Sequence, residues 1–73
     1  MSPMQFRAAR ALLNWTQPDL AKAAGLGLST VVDYELEKRK VSDEAIAKMR
    51  AALEAAGIKF TNGKSPGVKL IRG

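Results

Sequence analysis

Along the first half of the chain the apolar residues return every three or four positions, the period of a helix that buries one face. Phe6, Ala9, Leu12 and Leu13 form the first such stripe, with Arg7 and Arg10 on other faces. Ser2-Pro3-Met4-Gln5 starts it by three signals: a capping serine, a proline where a missing N–H is harmless, and a glutamine three residues on that closes a capping box. The stripe predicts a helix ending near Asn14, with Trp15 as a hydrophobic staple or core plug before the next start. Thr16-Gln17-Pro18-Asp19 repeats the logic: Thr16 caps, Pro18 falls in the first turn, and Asp19 meets the positive end of the helix dipole. Leu20, Ala21, Ala23 and Ala24 then give a short, slim helix, which Gly25 ends in a left-handed residue.

After the turn residue Leu26, Val31 and Tyr34 are spaced by three and predict another short helix over Ser29 to Tyr34. Small Ala21 and the turn glycines allow the two helices to cross closely. Glu37-Lys38-Arg39-Lys40 is a charged connector, and Ser42 with Asp43 and Glu44 starts a fourth helix whose inner stripe is Ile46, Met49, Leu53 and Ala56, stopped by Gly57. From Ile58 the period becomes two: Ile58-Lys59-Phe60 and Val68-Lys69-Leu70 alternate apolar with basic, and Asn62-Gly63 and Pro66-Gly67 between them are turn chemistry. The expected architecture is mainly α: a bundle of four short helices over residues 1–57 and a C-terminal β-hairpin over 58–73.

Size and composition narrow the function. Seventy-three residues make one domain, and a chain this short buries only about 60% of its unfolded surface, so association into a homodimer is the starting expectation. There is no cysteine and no histidine, which removes the usual zinc ligands, the Ser-His and Cys-His nucleophile pairs and the imidazole proton shuttle. No enzyme, metal site or cofactor is expected. No apolar run approaches the roughly 18 residues of a membrane helix and no leader pattern opens the chain, so no membrane partner and a cytoplasmic location are expected. A net charge of +5 favours polyanionic partners, nucleic acid first among them.

Thr16-Gln17-Pro18-Asp19-Leu20-Ala21, Ala24-Gly25-Leu26, Ser29-Thr30-Val31 and Tyr34-Glu35, taken with their spacing, resemble the helix-turn-helix of the phage repressor and Cro (XRE) family, over Phe6 to about Leu53. The resemblance implies a lambda-repressor-like fold and a double-stranded DNA partner, with the second helix of the motif in the major groove; that docking geometry is the family's. Alignment puts Gly27, Leu28, Ser29 and Asp33 at the reading positions with Val32 beside them. Gln17 and the Gly27 helix start fall at phosphates, and Lys38, Arg39 and Lys40 along the backbone. Lysine and arginine supply sequence-independent affinity by counterion release. Base choice then falls to Ser29 and to Asp33, which can accept from a cytosine amino group, while Leu28 and Val32 can touch a thymine methyl.

Three departures from the family pattern carry expectations of their own. Gly27 gives up a side-chain cap. Leu36 and Glu37 stand where relatives tend to have arginine and glycine, and without the residue best suited to a left-handed end the motif's second helix is expected to run on or to close differently. Glu35 either pairs with an arginine such as Arg10 or is exposed. The hairpin either caps the helical core in place of a fifth helix or offers Val68, Leu70 and Ile71 to a second copy; both can hold. A rival function uses the same scaffold as a protein-interaction module, an antitoxin or an antagonist of another regulator, with Leu28, Val32 and Leu36 as a contact patch for a regulatory protein.

Overall fold

A computed structural model describes residues 2–61 and 66–71. The expected mainly helical bundle is present as α1 (Pro3–Leu13), α2 (Gln17–Ala24), α3 (Leu28–Glu35) and α4 (Asp43–Ala55), followed by β1 (Ile58–Thr61) and β2 (Gly67–Leu70), which pair antiparallel. The Asn62-Gly63 turn lies outside the described residues. No helix among those described is long and apolar enough to cross a membrane.

The helix starts follow the chain's own signals. Ser2 Oγ accepts from the Gln5 amide while Gln5 Oε1 accepts from the Ser2 amide, and Thr16 with Asp19 forms the same reciprocal pair at α2. Those bonds hold the exposed Asp19 carboxyl below its ordinary pKa of 3.8, the Thr16 amide contributing most. Ser42 Oγ caps α4 through the Ala45 amide. At α3 Gly27 is the N-cap and makes no side-chain bond.

One core lies among all four helices and the hairpin: Phe6, Leu20, Val31, Met49 and Leu53 are fully buried, with Tyr34, Val41, Ile58 and Phe60 around them. Phe6 is its hinge point, its ring 5.1 Å from Tyr34 of α3 and 5.6 Å from Phe60 of β1, both tilted as aromatic quadrupoles prefer. Leu12, expected on the buried stripe of α1, is exposed. The face centred on Phe6 and Ala9 instead extends to Gln5, whose amide nitrogen donates 3.2 Å bonds to the carbonyls of Thr61 and Gly67, one on each strand. A capping side chain thereby also clamps the hairpin onto α1.

The register pairs Ile58 with Leu70, Lys59 with Lys69, Phe60 with Val68 and Thr61 with Gly67. Val68 and Leu70 are half-buried against the core, Lys59 and Lys69 face solvent, and Ile71 is exposed. The Ile71 amide donates to the Gly57 carbonyl at 2.6 Å, and Gly57 has φ 106°; a Cβ there would lie 2.8 Å from the Ile71 carbonyl oxygen. No other residue fits that junction without moving backbone.

Candidate nucleic-acid interface

The motif is built on α2, a turn and α3. Gly25 ends α2 at φ 69°, and the Leu26 amide then reaches back to the Ala21 carbonyl at 2.9 Å, so the chain leaves at an angle with Leu26 turned onto the core. Buried Ala21 and Leu20 sit beneath, and α3 begins at Leu28, one residue earlier than its apolar spacing indicates.

The interior face of α3 is fixed by charge. Glu35 is 1% exposed, and its carboxylate accepts from Arg10 Nε at 2.7 Å, Arg10 Nη2 at 2.6 Å and Gln17 Nε2 at 3.2 Å. Arg10 also donates to the Trp15 carbonyl at 3.1 Å, and Arg7 to the Glu35 backbone carbonyl at 2.5 Å, at the negative end of α3. Of the alternatives for Glu35, the pair with Arg10 is the one present. The forked, two-bond geometry satisfies a carboxylate that burial would otherwise penalise heavily. The arginines of α1 and the first residue of α2 thus converge on the last turn of α3. The role of Arg7 is not legible in the sequence, because a lone arginine on a first helix has no local mark of its distant partner.

Gln17 is half-buried and one of its amide hydrogens is engaged by Glu35, leaving the other for an external acceptor. The outward face of α3 carries Leu28, Val32 and Leu36 at intervals of four, with Ser29 and Asp33 on the adjacent row. Leu28 is 46% and Leu36 56% exposed, Ser29 is exposed, and Val32 and Asp33 are partly covered. The expected reading residues therefore share one accessible face. At its start the Thr30 N–H bonds the Gly27 carbonyl at 3.1 Å, while the Leu28 and Ser29 N–H groups have no partner among the described residues and no side-chain cap competes for them.

At the other end α3 neither runs on nor closes differently. Glu37 itself adopts φ 55°, its amide bonds the Tyr34 carbonyl at 3.2 Å, and the Lys38 amide bonds the Asp33 carbonyl at 3.0 Å. That is the left-handed closure usually made by glycine, made here by a glutamate. The expectation from the Leu36-Glu37 departure is thus corrected: the backbone bonds and the Arg7 contact over-determine the turn, and the residue accepts the strain. The closure sends Lys38, Arg39 and Lys40 back along α3. Lys38 and Lys40 are exposed, and Arg39 lines a shallow groove of about 440 Å³ with Thr30, Leu26 and Lys40. Arg39 Nε donates to Asp33 Oδ2 at 2.8 Å, joining two residues assigned on the sequence to different kinds of contact.

A search of curated proteins finds no match to this chain. A family model described as helix-turn-helix matches residues 6–56, from the hinge phenylalanine of α1 to the end of α4. With that match over more than half of its length, and with α2, the turn and α3 in the arrangement above, the chain belongs to the phage-repressor and Cro-like (XRE) helix-turn-helix family of DNA-binding regulators.

Proposed function

We propose that the chain is a sequence-specific transcriptional regulator that occupies a pseudo-palindromic duplex site as a homodimer, with α3 of each protomer in the major groove. The observation that carries this is the outward face of α3, held rigid from behind by the Glu35 cluster and rimmed by the basic segment 38–40. In the complex Leu28, Ser29 and Val32 face base edges, with Asp33 at the border of that face. Gln17, the Gly27 helix start, Lys38 and Lys40 lie at phosphates, with Arg39 between these lysines and paired to Asp33. Val68, Leu70 and Ile71 place the hairpin at the twofold axis. A protomer of 29 × 26 × 19 Å fits a side-by-side pair whose equivalent helices are spaced by roughly one duplex turn, about 34 Å. Control then acts through occupancy of the site in the cytoplasm, without catalysis.

Replacing Lys38, Arg39 and Lys40 together by alanine tests this reading. Affinity for duplex DNA falls, and the slope of log K against log salt becomes shallower by about 1.8, roughly 0.9 for each of the two phosphates that lose Lys38 and Lys40. A variant that binds with unchanged affinity and salt dependence removes the reading.

A second reading has its own observation, the exposed apolar row Leu28, Val32 and Leu36 on a face that reads bases in the family. On it α3 docks a regulatory protein, and the chain acts as an antitoxin or antagonist. Leu36→Asp then abolishes the complex while the triple alanine variant leaves it intact.

A further inference from the structure

The Asp33–Arg39 pair changes which side chain does the reading. Asp33 lies on the border of the outward face of α3, 25% exposed, and Arg39 is 51% exposed beside it. The left-handed closure at Glu37 returns the chain so that Arg39, six residues after Asp33, meets its carboxylate through Nε. An arginine has five N–H donors in a planar fork. With Nε spent on Asp33, the outer edge formed by Nη1 and Nη2 remains, and neither atom has a partner among the described residues. Two parallel N–H groups on one rigid edge match the O6 and N7 acceptors of guanine in the major groove.

The same pairing argues against the roles assigned on the sequence. A phosphate contact depends on net positive charge, and a carboxylate 2.8 Å away cancels much of it, whereas Lys38 and Lys40 form no ion pair among the described residues and keep theirs. A base contact depends on orientation, which the carboxylate supplies by removing rotamer freedom from a long side chain. Asp33, in turn, has one oxygen committed to Arg39 and so acts through it. We propose that Arg39, held by Asp33, reads a guanine at the border of the duplex site, and that Asp33 is a positioning residue. This rests on the DNA-binding reading above.

The test selects bound duplexes from a random pool with the full chain, then measures affinity for the selected site and for versions altered at each position. The wild-type chain prefers one G·C orientation at a border position by roughly 5- to 150-fold, the discrimination of a bidentate contact. Arg39→Lys keeps the charge and therefore the salt dependence, but reduces that preference to below roughly threefold. Asp33→Ala lowers the preference without touching the rest of the site, and in the Arg39→Lys background it has no further effect, because its only route is through the guanidinium. Both side chains are partly exposed, and far-ultraviolet circular dichroism checks that each variant folds. A preference that survives Arg39→Lys overturns the proposal, and if Asp33→Ala then abolishes that surviving preference, Asp33 is the reader of the opposite cytosine. If the wild-type chain selects no duplex, the DNA-binding reading fails with it; if it selects a site that Arg39→Lys selects equally, only the assignment to Arg39 fails.

Discussion

Glu35 is a buried carboxylate, and its stability depends on partners from two other helices. Removing one member of a buried pair strands the other without water, which costs about 3–5 kcal/mol, whereas replacing both with apolar residues of similar size is neutral or better. Arg10→Met is accordingly expected to lower stability by about 3–5 kcal/mol in urea unfolding, and Arg10→Met with Glu35→Leu to recover most of that deficit. Additive losses would show that the pair is no unit. Gln17 contributes a single neutral donor to this cluster and is the minor member. The pairing with Arg10 is left open by the sequence, since 25 residues separate the partners and the exposed alternative has the same local pattern.

Among the helices, local signals are legible in the sequence and distant ones are not. The Ser2, Thr16 and Ser42 caps act within four residues, and each start is where the sequence puts it. The helix ends are subtler: α1, α2 and α3 all close through a left-handed residue, but these are Asn14, Gly25 and Glu37 in turn, of which the glutamate gives no local sign of it. Glu37 keeps a conformation that costs an ordinary L-residue roughly 1–2 kcal/mol, because backbone bonds from Glu37 and Lys38 and the Arg7 contact all require it. Glu37→Gly is expected to stabilise the fold by about 0.5–1 kcal/mol after the added unfolded-chain entropy is subtracted. That is a rise of a few degrees in Tm for a domain of this size, and an unchanged or lower Tm would show the turn to be unstrained. The exposure of Leu12 and the clamp of Gln5 on the hairpin lie beyond periodicity, since both follow from where the strands seat against α1.

For the molecule as a whole, the helices and hairpin close over one core, and the function proposed for it needs two copies. Val68 and Leu70 are committed in part to that core, so the clean probe of association is Ile71, which is 50% exposed and borders exposed Leu12 in a shallow depression with Ala55. Ile71→Lys is expected to lower the dimer fraction in sedimentation equilibrium and to weaken binding to a two-half-site duplex more than to a single half-site, with Tm in dilute solution nearly unchanged. A wild-type chain that sediments as a monomer even on DNA would remove the hairpin from the assembly. The proposed association of copies is the least legible property, because an edge strand and a capping strand share the same alternation of apolar and polar residues. The buried Arg10–Glu35 pair also divides the surface histories open to this chain. Under the proposed function, exposed Leu28 and Ser29 can be exchanged one at a time at little cost to the interior, so a lineage can shift its preferred site by single steps, while a change at either ionic partner beneath carries the cost of stranding the other.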